Sequence, residues 1–402
     1  MRFLLLNQFY PPDPAPTGQY LHDLAQVLVG RGHEVQVLCS RQSYDGTHSY
    51  PRQEVLDGVP VTRLWATGFG RRGLLGKQAD YITFYGSLLT AMVCSRTAPD
   101  LILSLTTPPY LGLLGKFAAK RHGCRQADWV MDLYPDVMFA HGMARQDGFL
   151  FRILEKLTRW QLRHAAPVIA LGPTMAARLA KYLELGNTDA AIKWLPLWSD
   201  ATLTPWPEGQ PNLLRQERNW PANETVMLYS GNMGLGHRFG EFLEAARHLG
   251  AEGPRWVFAG GGKRRAEIEA FARAHPQARL EMLPYVPKSE LREHLAAAEV
   301  HLLSLEPAWQ GFMVPSKLQA SFALGKPVIY VGGRDCETAT WIQESGGGWV
   351  VEPNDLSALL AAIAEALDPA ERKLRGRAAR AYAQQHFNRA ATCNRLAQLL
   401  ET

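Results

Sequence analysis

Short apolar runs alternate along this chain with stretches in which hydrophobic positions recur every three or four residues. In the first half the runs at 3–6, 34–39, 59–64, 101–104, 127–131, 168–171 and 192–195 read as strands. Runs this short and this uniformly apolar suit strands buried on both faces. Helical patterns separate several of them. The clearest covers 18–30, with Leu21, Leu24, Ala25 and Leu28 on one face and Gly30 and Gly32 closing it. Around 198–221 the rhythm stops. Pro205, Pro207, Pro211 and Pro221 fall there among polar residues, which predicts a linker and loop. A second series follows, with strands at 226–230, 255–259, 280–283, 300–304, 327–331 and 348–351. Helices are expected at 239–249, 263–274, 288–297, 316–324 and 356–367, and the tail 371–400 is helical.

Strand–helix alternation implies parallel sheets covered by helices. Two such series predict an α/β chain of two Rossmann-like domains facing a central cleft, with ligands at the carboxyl ends of the strands. The expected boundaries are 1–198 for the first domain, 199–221 for the linker, 222–380 for the second domain and 381–402 for a C-terminal helix packing back on the first. A length of 402 residues supports two cores rather than one.

Composition narrows the classes. Hydrophobic residues make up 47%, which fits a packed globular protein, and the net charge of +5 falls short of a nucleic-acid binder. The five cysteines are scattered and odd in number, which fits reduced thiols in the cytoplasm. The opening Met1–Asn7 is too short for the apolar core of a signal peptide and reads as the first strand. No apolar stretch is long enough and free enough of breakers to predict a membrane span.

Five segments carry candidate chemistry. The most informative segment is 314–328, where Pro315 and Ser316 open a short helix, Lys317 lies in its first turn and Gly325 closes it. A helix start with a lysine suits a diphosphate. The loop 231–238, with Gly231, Asn232, Met233 and Gly234, is a phosphate-facing candidate, and Arg238 supplies a second cation. Gly261 sits in a third glycine-rich strand end. In the first half, Gly18 and Gln19 follow a proline-rich loop at a helix start, and Asp132 and Asp136 follow the strand at 127–131. A carboxylate there either orients a hydroxyl, acts as a base or caps the next helix. The dinucleotide fingerprint Gly-x-Gly-x-x-Gly and the Walker A motif are absent from the sequence, which disfavours NAD enzymes and ATPases. Neither an Asp-x-Asp pair nor a histidine cluster with ligand spacing occurs, so a metal-independent site is expected.

Taken in order, Pro16-Thr-Gly-Gln-Tyr20, Gly30-Arg-Gly-His-Glu-Val35, Pro99-Asp100, Leu195-Pro-Leu-Trp-Ser-Asp200, Ser230-Gly-Asn-Met-Gly234 and the block from Pro315 to Val328 resemble family 4 glycosyltransferases of the GT-B fold. The resemblance covers nearly the whole chain. It is nearer to bacterial enzymes of exopolysaccharide and O-antigen assembly, including those of the fucosamine and fucose type. It implies a retaining transferase using a nucleotide-diphosphate sugar, with UDP or GDP as the carrier and no obligatory cofactor. Arg238 and Lys317 would offset charge on the leaving diphosphate, and Asp132 lies near where many relatives carry a histidine. Gly18 would approach the donor from the first domain. Phe312, Met313, Val314 and Ser316 would line the donor.

One departure stands out. Many relatives carry two glutamates eight residues apart in this region, and here those positions are Phe312 and Ala320. Phe312 would suit a deoxygenated or acetylated sugar, and Glu306 or Gln319 would have to replace the ribose contact. The resemblance also implies a polyprenyl-diphosphate-linked acceptor at the cytoplasmic membrane face. Arg71, Arg72 and Lys77 beside the apolar stretch 81–93, and Arg152, Lys156, Arg159 and Arg163 beside Phe149, Leu150, Phe151 and Leu154, suit anionic lipid or an ordinary solvated helix face. The alternatives are a transferase acting on a small soluble acceptor and a GT-B-shaped epimerase or non-catalytic binder.

Overall fold

A computed structural model describes residues 1–44, 46–69, 73–95, 97–142, 148–163, 165–183 and 192–402. The chain divides into two units, one of residues 1–196 with 390–402 and the other of residues 197–389.

The first unit holds strands β1 (Arg2–Leu6), β2 (Glu34–Ser40), β3 (Gln53–Leu56), β4 (Val59–Leu64), β5 (Leu101–Leu105), β6 (Arg125–Trp129), β7 (Val168–Ala170) and β8 (Ile192–Trp194). Among the described residues they form one sheet in the order β3-β4-β2-β1-β5-β6-β7-β8. All pairs are parallel except β3 with β4. Strand β3 is missing from the expected set. Asp57 (φ 48°) and Gly58 (φ 81°) form the two-residue turn of that hairpin, and Asp-Gly is the sequence signal for it.

Helices α1 (Pro16–Gly30), α2 (Leu74–Cys94), α3 (Leu111–His122), α4 (Asp136–Ala140), α5 (Phe149–Leu162) and α6 (Pro173–Leu183) accompany this sheet. Helix α1 has Pro16 in its first turn and buries Leu21, Leu24, Ala25 and Leu28, the face set by their spacing. Helices α2 and α3 cover the sheet through Phe84, Leu88, Leu111 and Ala118.

The second unit contains α7 (Leu213–Glu217), β9 (Val226–Ser230), α8 (Gly240–Leu249), β10 (Arg255–Ala259), α9 (Arg265–Ala274), β11 (Leu280–Leu283), α10 (Leu291–Ala296), β12 (Val300–Ser304), α11 (Lys317–Ala323), β13 (Val328–Val331), α12 (Glu337–Ser345), β14 (Gly348–Val351), α13 (Leu356–Leu367) and α14 (Pro369–His386). Its strands lie in the order β11-β10-β9-β12-β13-β14, all parallel. The chain builds outward from β9 and then reverses to the other side, so the order switches between β9 and β12. Such a switch parts the flanking loops and leaves a crevice at the strand ends. Strands β12 and β13 are buried at every position, as their uniform apolar runs require. Phe239, Phe242, Trp256 and Phe258 fill one face of the sheet, each contributing up to about 3 kcal/mol by burial.

Two boundaries differ from expectation. The segment expected as a free linker packs into the second unit. Leu203 and Trp220 are buried in a core cluster with Val226, Leu228 and Val257, and Trp220 Nε1 donates to Glu281 Oε2 at 3.1 Å. Two apolar anchors hold the proline-rich chain that its polar composition disguised. The helical tail is also two helices, α14 and α15 (Arg389–Glu401). Phe387 lies between them, fully buried against Trp341 and Tyr382, and its carbonyl accepts from Ser199 N–H at 3.1 Å. That anchor keeps residues 381–389 with the second unit. Helix α15 belongs to the first, where Glu401 accepts from Arg31 Nε at 2.7 Å and bonds His33 Nε2 at 2.6 Å.

Candidate functional site

In the second unit, the carboxyl ends of β9, β10 and β12 open onto a cavity of about 220 Å³. Ser230, Gly231, Gly260, Tyr285, Ser316, Lys317, Ala320 and Ser321 line it. Sites that enclose a whole small ligand run to roughly 300–1,000 Å³. This one is smaller than that.

Two glycine-rich turns build its floor. Gly231 N–H donates to Ala259 O at 2.9 Å, and Met233 N–H donates to Gly261 O at 2.6 Å. Gly260 adopts φ 120°, and a Cβ there would lie 2.1 Å from Gly231 O. The turns interlock so closely that a side chain at Gly260 does not fit. Gly231 adopts φ 130°, and a Cβ there would lie 2.8 Å from Lys317 Cε. The lysine stem thus crosses the glycine directly. Tyr285, 56% exposed, reaches over the second turn, and its hydroxyl donates to Gly261 O at 3.2 Å.

Lys317 is the first residue of α11, and its Nζ lies 5.0 Å from the Tyr229 ring centroid. It also lies 3.4 Å from His237 Nε2. Among the described residues Lys317 has no carboxylate partner. Burial lowers its pKa to about 8, because an ammonium in low dielectric without a counter-charge favours its neutral form. His237 is buried, and its Nδ1 is 2.7 Å from Ser304 O. A carbonyl only accepts, so Nδ1 carries the proton and Nε2 faces the lysine as an acceptor. Burial, then the charge of Lys317, lowers the His237 pKa to about 3, so it stays neutral. His237 is absent from the sequence-based candidates. Its signal was its place beside Arg238 in the same loop.

Arg238 is placed differently from Lys317. Its guanidinium bonds Glu306 at 2.8 Å, Glu241 at 2.9 Å and Asn354 Oδ1 at 3.1 Å. It lines a separate hollow of about 320 Å³ with Arg264, Glu244 and Leu356. The two cations expected together therefore line different cavities. Glu306, expected as a ribose contact, is held by Arg238 and Arg264 in that second hollow. Gln319 is buried with neither amide atom hydrogen-bonded, and it does not line the donor-side cavity, where Ala320 does. Phe312 and Val314 are buried, Met313 is half-buried, and none of the three lines that cavity. Asn232 and Gly234 belong to the first turn, where Asn232 O accepts from Tyr229 Oη at 2.7 Å.

In the first unit, the proline-rich loop is firmly braced. The guanidinium of Arg63, 1% exposed, bonds Pro11 O at 2.5 Å and pairs with Glu54. Gln19 Nε2 donates to Asp13 O at 2.8 Å, so its amide holds the loop. Gly18 has a packing reason, since a Cβ would lie 2.8 Å from Phe9 O.

Asp132 follows β6. Its backbone N–H donates to Thr106 Oγ1 at 3.1 Å, while its carboxylate accepts no hydrogen bond among the described residues. Burial raises its pKa to about 6, and the charge of Lys77 partly opposes this. Asp136 is different. It starts α4, and its carboxylate accepts from Tyr182 Oη. Asp136 is therefore engaged, whereas the Asp132 carboxylate has no hydrogen-bond partner among the described residues.

Of the basic surfaces, Arg71 and Arg72 lie outside the described residues. Lys77 is exposed on α2 beside Leu75, 81% exposed. On α5, Arg152 and Lys156 share the exposed face with Phe149, Leu150, Ile153 and Trp160, and Arg163 is exposed just after the helix. Among the described residues no helix is long and apolar enough to cross a membrane, and no group of three His, Cys, Asp or Glu residues could hold a metal ion.

Two largely parallel sheets of this order, with a glycine-lined and cationic cavity at a switch point of the second, define an α/β protein of the GT-B fold. Residues 17–192 match the model described as a glycosyl transferase 4-like domain, and residues 224–369 match that of glycosyl transferases group 1. The chain belongs to the family 4 glycosyltransferases and is a glycosyltransferase. It is 27% identical over 285 residues to the probable glycosyltransferase WbjE of Pseudomonas aeruginosa, covering 70% of each chain. It is 24% identical to the putative colanic acid biosynthesis glycosyl transferase WcaI of Escherichia coli K12, covering 91% of this chain and 92% of that one. The solved structure of Anabaena HepE in complex with UDP is similar at a TM-score of 0.71, with 15% identity and full coverage of both chains.

Proposed function

We propose that this glycosyltransferase moves a sugar, with retention of anomeric configuration, from a nucleotide-diphosphate sugar to a polyprenyl-diphosphate-linked glycan in surface polysaccharide assembly. The observation that carries the donor side is Lys317, an ammonium without a carboxylate partner among the described residues, lying over Gly231 at the switch point of the second sheet. A diphosphate supplies the missing counter-charge, and the glycine turns let its oxygens approach the backbone. As the bond to the donor sugar breaks, negative charge grows on the diphosphate, and a fixed cation stabilises it without reorganising. Lys317 performs this in our reading, so no metal is required. Arg238, already neutralised by Glu241 and Glu306, contributes by fixing the loop and at longer range. HepE was crystallised with UDP, which supports a nucleotide carrier of this kind. Retention follows from a front-face route in which the donor phosphate takes the acceptor proton.

The colanic acid relative supports polysaccharide assembly as the setting. The exposed apolar and basic residues of α5, with Lys77 of α2, suit the anionic cytoplasmic face of the membrane that carries such acceptors. A panel of UDP-, GDP- and dTDP-sugars tested by thermal shift and by turnover, on the wild type and Lys317→Ala, decides the donor reading. One carrier should raise the melting temperature of the wild type. Turnover by Lys317→Ala at the wild-type rate would overturn the role of Lys317.

A further inference from the structure

The loop between β9 and α8 carries a buried histidine, His237, 5% exposed. Its main chain is tied down on several sides. His237 N–H donates to Gly234 O at 3.1 Å, and Gly236 O accepts from Glu306 N–H at 2.8 Å. Arg238 N–H donates to Ser304 Oγ at 2.9 Å, and Arg264 Nη1 donates to His237 O. A Cβ at Gly236 would meet the Trp309 indole at 3.0 Å. These contacts fasten the loop after β9 to the carboxyl end of β12, across the switch point. The ring is fixed as well. Its Nδ1–H donates to Ser304 O at 2.7 Å, and it meets Tyr229 edge to face with centroids 5.7 Å apart.

With the proton on Nδ1, the lone pair of Nε2 points away from Ser304. Lys317 Nζ lies 3.4 Å from that nitrogen and 5.0 Å from the Tyr229 ring centroid. Tyr229 is itself held, because its hydroxyl donates to Asn232 O at 2.7 Å. The charged groups nearest His237 are Lys317 of α11, Arg264 before α9, and Arg238 and Glu306, which bond each other. Burial and then the charge of Lys317 keep the ring neutral. A lysine stem is long and flexible, and an ammonium aimed beforehand loses less freedom when a ligand binds. A carboxylate could also aim it, but would cancel its charge, as Glu241 and Glu306 do for Arg238. A neutral acceptor aims it and leaves the charge in place.

Resting on the diphosphate reading of Lys317 above, the structure assigns His237 the role of a positioning residue: its neutral Nε2 takes one N–H of the Lys317 ammonium, aims that ammonium across Gly231, and leaves the other two N–H groups to the donor diphosphate. His237 acts through Lys317. Because the bond favours the charged form of the lysine, it also extends nucleotide binding toward higher pH.

The test separates the two bonds of the ring. His237→Asn keeps a donor for Ser304 O but is too short to reach Lys317. His237→Gln carries an acceptor long enough to reach it. Affinities for UDP, GDP and dTDP are measured by isothermal titration from pH 6 to 9 at constant ionic strength. With Lys317 at about 8, wild-type affinity should fall between about pH 7 and 9. His237→Asn removes a hydrogen bond to a charged group, so that fall should move down by about one pH unit. His237→Gln should follow the wild type. In the Lys317→Ala background His237→Asn should cost no further affinity, since no ammonium is left to aim. Melting temperatures without nucleotide report folding. His237→Thr, which also falls short of the lysine, replaces His237→Asn if that variant does not fold. An unmoved pH profile in His237→Asn, an equal shift in His237→Gln, or an additive loss in the Lys317→Ala background overturns the positioning role. A wild type that binds none of the three nucleotides overturns the donor reading, and this role with it.

Discussion

The lowered pKa of Lys317 makes nucleotide binding depend on pH in a range where an ordinary lysine is silent. A free lysine titrates near 10.5, but burial brings Lys317 to about 8. A diphosphate binds the ammonium and not the neutral amine. For a group titrating near 8, the charged fraction falls from about nine-tenths at pH 7 to about one-tenth at pH 9. The affinity for UDP or GDP, whichever binds, should therefore drop about tenfold over those two units. With a lysine at 10.5 it would drop by only a few per cent. Lys317→Arg keeps a charge throughout, so its affinity should be flat across the range even if weaker overall. Lys317→Ala removes a charge-assisted contact of about 1.5–3 kcal/mol, a loss of roughly ten- to 150-fold at pH 7. The free protein moves the other way. Its folded pKa lies below the unfolded one, so the cost of burying the charge is present below about pH 8. That cost is relieved as pH rises toward 10.5, and stability rises there. Isothermal titration at constant ionic strength reads the affinities. Equal affinity at pH 7 and pH 9, or wild-type affinity in Lys317→Ala, would refute the reasoning.

Gly260→Ala should destabilise the second unit by about 1–3 kcal/mol, since the new Cβ collides with Gly231 O in a backbone conformation that disfavours side chains. Denaturant unfolding measures it. Gly231→Ala should cost nucleotide affinity as well as stability, because it displaces the Lys317 stem, and calorimetry with denaturation separates the two. Glu401→Gln should speed amide exchange across residues 389–401 while exchange elsewhere is unchanged, since Glu401 ties α15 to Arg31 and His33. The Glu401 carboxyl is held down to about 2, first by its bond to Arg31. Its contribution is thus fully present above the usual glutamate range and lost only as pH falls toward 2. Charge reversal of Lys77, Arg152 and Lys156 should release the protein from vesicles containing phosphatidylglycerol in a flotation assay, and unchanged flotation would count against the membrane face.

Much of the architecture was legible because its signals are local. All six strands of the second sheet follow from apolar runs bounded by turn residues, and β9, β10, β11, β12 and β14 have the expected limits. Gly325 (φ 69°) closes α11 as its position before Lys326-Pro327 implies. The site was half legible. Lys317 and Gly231 stood out because a lysine at a helix start and a glycine at a strand end signal a phosphate without reference to anything distant. Arg238 carried the same local signal, yet its direction depends on Glu306, which lies 68 positions away and reaches it only through the sheet. Tyr285 has no local signal because a lone aromatic forms no pattern, and His237 has only its place beside Arg238 in the same loop.

What the sequence determined by itself is the alternation of strand and helix, and with it two α/β units and a lysine at a helix start, because hydrophobic period and turn chemistry act over a few residues. Tertiary structure alone decided which charged groups are already neutralised and which remain free. Arg238 met Glu241 and Glu306, whereas Lys317 met a neutral histidine and an aromatic ring. The physical reason is that Coulomb energy and desolvation depend on distance and burial in space, and separation along the chain does not specify either.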